Sequence, residues 1–143
     1  PGVQNVKVTL TAADILNLHN TYVELIPAPG VGKFIQVLSV MQYLDFQTTP
    51  YTTSSTPPPN PANSQIIMMY GNSNSFPGFT QLMTVQGLQQ TQDWYQALSN
   101  FPYTSINVST WQPNTGVYAA SALANTNGDS PIHVYISYII KNL

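Results

Sequence analysis

The closing segment of the chain, residues 131–140, alternates with a strict period of two. The even-numbered positions are Ile132, Val134, Ile136, Tyr138 and Ile140, and the odd-numbered positions are His133, Tyr135, Ser137 and Ile139. Successive side chains of a β-strand point to opposite faces, so this period predicts a strand with one face against a core. Residues 6–10 alternate in the same way and predict a first strand. We expect the first and last strands to pair.

A short helix is predicted directly after the first strand. Thr11 and Asp14 have the spacing of a capping box, and apolar residues follow at helical spacing until about residues 19–20. Further strands are predicted over residues 21–26, 33–46, 65–70, 106–111 and 116–124. Turns are predicted over residues 27–32, 71–78 and 125–129, and in the last of them Gly128 is able to take a positive φ.

Two segments do not follow a simple period. Residues 33–46 have apolar residues at both odd and even positions. This pattern predicts either a strand with both faces buried, Met41 included, or a β-bulge that shifts the alternation. Residues 79–100 fit neither period, and a helical turn is predicted over residues 89–96. With seven or eight strands and one short N-terminal helix, the chain predicts an all-β fold, β-sandwich or jelly-roll-like. A single domain over residues 1–143 is expected, and any signal segment before residues 1–2 was removed or never existed.

Residues 47–64 form a segment rich in proline, serine and threonine. Its prolines are Pro50, Pro57, Pro58, Pro59 and Pro61. This composition predicts a long surface loop or arm with polyproline II character. A loop of this length inside a compact domain is uncommon and is usually functional, disordered or packed on a neighbour. A solvated insertion without contacts is the alternative.

Charged residues are scarce: three Lys, no Arg and five Asp or Glu make up 6% of the chain. The 43% of apolar residues predicts a real core rather than disorder. The lack of Arg argues against nucleic acid as a partner, and the longest apolar run, residues 34–44, is too short to cross a membrane. Free protein surfaces normally carry about a quarter to a third of charged residues. We therefore expect copies of this chain or a larger assembly to cover much of the surface.

The sequence contains few groups suited to catalysis. His19 and His133 lie on different predicted elements, and the five carboxylates are scattered instead of spaced as a metal-binding set. Cysteine is absent, and no Gly-x-Ser-x-Gly motif marks a nucleophile. We expect no catalytic residue, no cofactor and no metal, and therefore a protein that is not an enzyme.

Aromatic residues in or beside loops are the candidate interaction sites. They are Tyr51, Tyr70, Phe76, Phe79, Trp94, Tyr95, Phe101, Tyr103 and Trp111. Such residues among Asn and Gln suit both protein interfaces and carbohydrate stacking. The candidate interface comprises Tyr51, Pro57, Pro58, Pro59, Trp94, Tyr95 and Trp111. The alternative is that both tryptophans belong to the core.

Both ends of the chain resemble a known family. Residues 10–18 read LTAADILNL, residues 23–40 read VELIPAPGVGKFIQVLSV, and an Asn-Gly-Asp turn at 127–129 leads into the closing strand. This order resembles small virion proteins of tailed phages over roughly the first 40 and the last 25 residues. The resemblance implies a capsid decoration protein on the virion surface, made in the host bacterial cytoplasm. A homotrimer bound to the major capsid protein is expected; a tail or fibre module that binds host-surface carbohydrate is the alternative.

Overall fold

The computed structural model of the 143-residue chain describes residues 2–53, 66–71, 78–83, 85–99, 113–121 and 124–143. The strand predicted over residues 106–111 lies outside the described residues. The strands in the described part are β1 Gln4–Leu10, β2 Val23–Ile26, β3 Lys33–Leu44, β4 Thr52–Thr53, β5 Ile66–Tyr70, β6 Gly78–Met83, β7 Trp94–Ser99, β8 Val117–Ala120, β9 Asn125–Thr126 and β10 Ile132–Asn142. The helices there are α1 Ala12–Asn17 and α2 Val85–Leu88.

The strands form two four-stranded sheets and one small ladder. The first sheet has the order β1-β10-β3-β7, the second has the order β2-β8-β5-β6, and β4 pairs with β9. All of these pairs are antiparallel. The prediction of an all-β chain is confirmed, and so is the pairing of the first and last strands.

The long strand β3 contains the predicted bulge. Its register with β10 passes from Ser39 opposite Ser137 to Val37 opposite Tyr138, so Leu38 is an extra residue in β3. Before the bulge Ile35 and Val37 are buried, and after it the buried parity moves to Val40, Gln42 and Leu44. Met41 falls on the outward parity and is 43% exposed. Of the two predicted alternatives, the structure therefore has the bulge, and it does not bury Met41 on a second face.

Helix α1 begins where the sequence predicts. The Asp14 backbone N–H donates to Thr11 Oγ1 over 3.1 Å, and the Thr11 N–H donates to Asp14 Oδ2 over 2.9 Å. These two bonds satisfy N–H groups that the first helical turn leaves without partners. The helix buries Ile15, and Leu18 at its end is also buried.

One hydrophobic core takes side chains from both sheets and from α1. Its first-sheet members include Leu10, Ile35, Val37, Val40, Leu44, Ile132, Val134 and Ile136, and its second-sheet members include Leu25, Ile66, Met68, Leu82, Val117 and Ala119. Tyr70 of β5 donates its hydroxyl to the Ile35 carbonyl of β3 over 2.6 Å. This bond joins the two sheets inside the core, and Tyr70 is buried although its position beside a loop predicts exposure.

Residues 85–99 differ from the predicted helical turn over 89–96. The structure has a short helix at Val85–Leu88 and a strand at Trp94–Ser99. Over residues 94–97, half-buried and exposed side chains alternate against β3, which is the period of a strand. The pairing with β3 therefore overrides the weak helical pattern, and the predicted helical turn is wrong.

The turn predicted over residues 125–129 forms only in part, because Asn125–Thr126 is strand β9 and pairs with β4. Asn127 has the positive φ, 65°, and Gly128 does not. A Cβ on Gly128 would overlap the Tyr51 ring, so this position needs glycine because the ring packs directly against its backbone. Gly128 does not use the positive φ that glycine allows.

Candidate functional site

The outward side of the first sheet carries three rows of side chains that follow the strand register. The first row is Thr9, His133, Tyr43 and Tyr95; the second is Lys7, Tyr135, Met41 and Ala97; the third is Asn5, Ser137 and Ser39. We call these eleven residues the outer face. Each is half-buried or exposed, whereas most residues of the opposite parity are buried. Because each of the four paired strands alternates in this way, residues from both ends and from the middle of the chain lie on one surface.

The first row is largely aromatic. The Tyr43 and Tyr95 rings stack with centroids 4.6 Å apart and an interplanar angle of 10°. The His133 ring lies 5.8 Å from Tyr43 at a tilt of 31°. Tyr95, on the edge strand β7, is 66% exposed. The row therefore ends in an accessible aromatic ring.

Hydrogen bonds hold this aromatic row in place. The Tyr43 hydroxyl donates to Asp93 Oδ2 over 3.0 Å, and Asp93 Oδ1 accepts the Phe46 backbone N–H over 3.0 Å. His133 Nε2 lies 3.4 Å from Asp45 Oδ2, and its Nδ1 lies 2.9 Å from Thr9 Oγ1. The hydrogen bond to Asp93 raises the pKa of Tyr43 well above its ordinary range. The protonated Tyr43 hydroxyl is the donor of this bond to Asp93.

A groove of about 470 Å³ lies over the second and third rows. Small side chains at Ser39, Ala97 and Ser137 leave the space, and Lys7, Tyr135 and Met41 also line it. The Lys7 Nζ is 5.5 Å from the Tyr135 ring centroid, within range of a cation–π contact. Ser137 donates its hydroxyl to Asn5 Oδ1 over 2.6 Å. The described lining thus combines an aromatic ring, a thioether, one cation and several neutral polar groups, without a carboxylate.

The structure separates the predicted interface residues. Tyr95 lies on the outer face. Tyr51 is only 2% exposed and donates its hydroxyl to the Ser130 carbonyl over 2.6 Å, so its assignment to an exposed interface is wrong. Its ring is buried because it packs over Gly128.

Trp94 is half-buried and packs against the core, and its Nε1 is buried without a hydrogen-bond partner among the described residues. For Trp94 the core alternative is therefore the better description. The other members of the predicted interface, Pro57, Pro58, Pro59 and Trp111, lie outside the described residues.

Most of the outer face is not predicted from the sequence. The sequence predicts Lys7, Met41, Tyr43 and Tyr135 only as parts of strands, and its predicted interaction sites lie in or beside loops. The available signal was the second parity of β10, where His133, Tyr135 and Ser137 alternate with the buried residues. The pairing of β10 with β1 and β3 turns that parity into a continuous surface.

Known proteins and simple site signatures leave the function open. Within the described residues, no three His, Cys, Asp or Glu side chains are grouped to hold a metal ion, and no helix is long and apolar enough to span a membrane. The chain matches no protein-family model, no curated protein and no solved structure. The functional proposal below therefore rests on the strand topology, on the surface chemistry and on the resemblance of the two chain ends.

Proposed function

We propose that this chain is a non-enzymatic structural protein of a tailed-phage virion. In this proposal it self-associates as a homotrimer and decorates the capsid through contacts with the major capsid protein. It resides on the capsid surface after synthesis in the host bacterial cytoplasm. The resemblance over residues 10–40 and the closing strand supports this assignment, as do the strand order and the surface chemistry.

The strand order is the observation that carries the proposal. Numbering the described strands from one to eight, with the two-residue β4 and β9 left out, gives the orders 1-8-3-6 and 2-7-4-5. The pairs 1 with 8, 2 with 7, 3 with 6 and 4 with 5 are those of one long hairpin rolled into two sheets. We infer a jelly roll, an architecture that builds viral capsid and lectin domains. This step is an analogy at the level of the fold.

The few charges of the chain support a role inside an assembly. Each carboxylate is bonded within its own chain: Asp14 to Thr11, Glu24 to Tyr118, Asp45 to His133, Asp93 to Tyr43 and Asp129 to Thr48. The surface therefore offers few free charges that a partner would have to desolvate. Closed cyclic symmetry is the common way for copies of a small domain to cover such a surface.

The start of the predicted arm is firmly attached to the domain. Asp129 Oδ1 accepts the Thr49 N–H over 2.9 Å, and its other oxygen accepts the Thr48 hydroxyl. The Tyr51 N–H donates to the Leu88 carbonyl over 3.1 Å, and Thr52–Thr53 pairs with β9. In the proposal, Pro57, Pro58 and Pro59 of the predicted arm contact a neighbouring subunit.

Absolute mass in solution is the first test. Light scattering coupled to size exclusion should give three times the 15.7 kDa of one chain. Deleting residues 54–60 keeps the attached start of the arm, so we expect unchanged unfolding and lower occupancy on purified capsids. Val31→Ser, a substitution at an exposed turn residue, is the control and should leave occupancy unchanged. A chain that is monomeric and does not bind capsids contradicts the proposal.

A carbohydrate-binding tail or fibre module is the second candidate. The exposed Tyr95 ring, stacked on Tyr43, favours it. Trp94→Ala is a poor test because Trp94 packs against the core and its loss perturbs folding. Tyr95→Ala is the better variant, since an exposed side chain is removed without a cavity. Loss of adsorption to host cells with unchanged unfolding would support this candidate.

A further inference from the structure

We propose that the groove on the outer face is a binding site for a neutral saccharide. The site goes beyond a structural role in the virion, and its residues differ from Tyr95 and Tyr43 of the second candidate, which lie on the same outer face. It consists of Asn5, Lys7, Ser39, Met41, Tyr135 and Ser137, contributed by β1, β3 and β10. Its volume of about 470 Å³ falls in the range of small-ligand sites, about 300–1,000 Å³.

The apolar part of the groove suits the C–H faces of a sugar ring. Tyr135 supplies an aromatic ring, and Met41 is 43% exposed although its side chain is apolar. Water around such surface is released when a ligand covers it. Aromatic rings with a polar edge are suited to ligands that are apolar on one side and hydroxylated on the other.

The polar part of the groove suits neutral hydroxyl groups. The bond from Ser137 occupies the Asn5 carbonyl oxygen and leaves the two amide N–H donors of Asn5 for a ligand. Ser39 adds a hydroxyl that both donates and accepts. Lys7 is the single cation of the described lining, and its ammonium group already lies over the Tyr135 ring. Sites for anionic ligands usually contain several cations or a bidentate arginine, so this groove is better suited to an uncharged ligand.

The shape of the outer face favours a saccharide over a second copy of this chain. If two copies packed with their grooves opposite each other, the volume of both grooves would remain empty. Protein interfaces pack about as densely as protein interiors, and an unfilled space loses the contacts of its lining. A small ligand fills the groove without that loss.

The groove is organised before a ligand binds. Hydrogen bonds and ring stacking fix the adjacent aromatic row, and the Ser137 to Asn5 bond fixes the third row. The strands themselves are held by continuous ladders from β1 to β7. A ligand therefore loses little affinity to ordering of the protein.

The test uses the full chain and uncharged trisaccharides as probes. Maltotriose, cellotriose and tri-N-acetylchitotriose are titrated into labelled protein and followed by NMR chemical-shift changes, with sialyllactose as an anionic comparison. At least one neutral probe should bind with residues of the groove shifting. Ala97→Trp, which fills the groove from an exposed position, should abolish binding, and Tyr135→Ala should weaken it about tenfold, or about 1.4 kcal/mol.

Tyr118→Ala is the matched control, because Tyr118 is a half-buried, outward-facing tyrosine of the second sheet. It should leave saccharide affinity unchanged. The proposal is overturned if no neutral probe binds at about 10 mM, or if binding survives Ala97→Trp. A lower solution mass of the Ala97→Trp variant also overturns it, since the face would then be an interface between copies. Mass and capsid occupancy are measured separately, so the virion proposal stands or fails independently.

Discussion

Replacing Gly128 by alanine should destabilise the protein through Tyr51. An added Cβ would overlap the Cγ, Cδ1 and Cε1 atoms of the Tyr51 ring. The ring has no free space to move into, because it is only 2% exposed and its hydroxyl is bonded to the Ser130 carbonyl. Either the 127–130 backbone shifts or the ring leaves its site.

These two responses set the lower and upper limits of the expected loss in the free energy of unfolding. Overpacking in a well-packed core costs about 1–3 kcal/mol. Complete loss of a buried aromatic side chain costs about 3–5 kcal/mol, and loss of the hydroxyl's hydrogen bond alone costs about 1 kcal/mol. We expect Gly128→Ala to lower the free energy of unfolding by about 3 kcal/mol. Tyr51→Ala should lower it by about 4 kcal/mol, and Tyr51→Phe by about 1 kcal/mol.

A double-mutant cycle tests the mechanism. Once Tyr51 is alanine, the Gly128→Ala methyl group enters vacated space, so the double variant should cost about 4 kcal/mol instead of the additive 7 or so. Urea unfolding followed by circular dichroism at one protein concentration measures these values. Gly2→Ala is the control, because nothing lies within 4 Å of that position. Additive losses, or a Gly128→Ala variant as stable as the original, would refute the reasoning.

Three further predictions concern single polar groups. Gln42 is fully buried, and neither of its amide atoms has a hydrogen-bond partner among the residues that the structure describes, so Gln42→Leu should raise the free energy of unfolding by about 1–2 kcal/mol in urea titrations. Hydrogen bonds from Thr48 and its neighbour lower the pKa of Asp129 below its ordinary 3.8. The stability from this group is therefore fully present above pH 3.8 and lost as pH falls through the folded-state pKa, and thermal melting of Asp129→Asn should show a weaker acid dependence. Thr11→Ala removes half of the capping box and should cost about 1 kcal/mol by urea unfolding, with Thr21→Ala, an exposed residue outside α1, as the control.

Local patterns in the sequence predict the elements whose cause is local. The capping box at Thr11 and Asp14 defines α1, and the period of two in residues 132–138 defines β10. Both depend on neighbours in the chain, so a single sequence contains the necessary information. Tyr51 and Gly128 are the opposite case. Their contact joins segments 77 residues apart in the numbering, and no local pattern distinguishes a buried loop tyrosine from an exposed one.

The outer face is not predicted from the sequence because its position depends on strand register. A shift of one residue exchanges the buried and exposed sides of a strand, and the parity of β3 is fixed by the bulge at Leu38. Val37, Leu38, Val40 and Met41 are all apolar, so the alternation alone leaves both parities open. The antiparallel pairing with β10 selects one of them: it buries Val40 and turns Met41 outward beside Tyr135. The groove therefore follows from a long-range pairing of two strands, and an apolar residue that weakens the sequence signal becomes part of the candidate binding site.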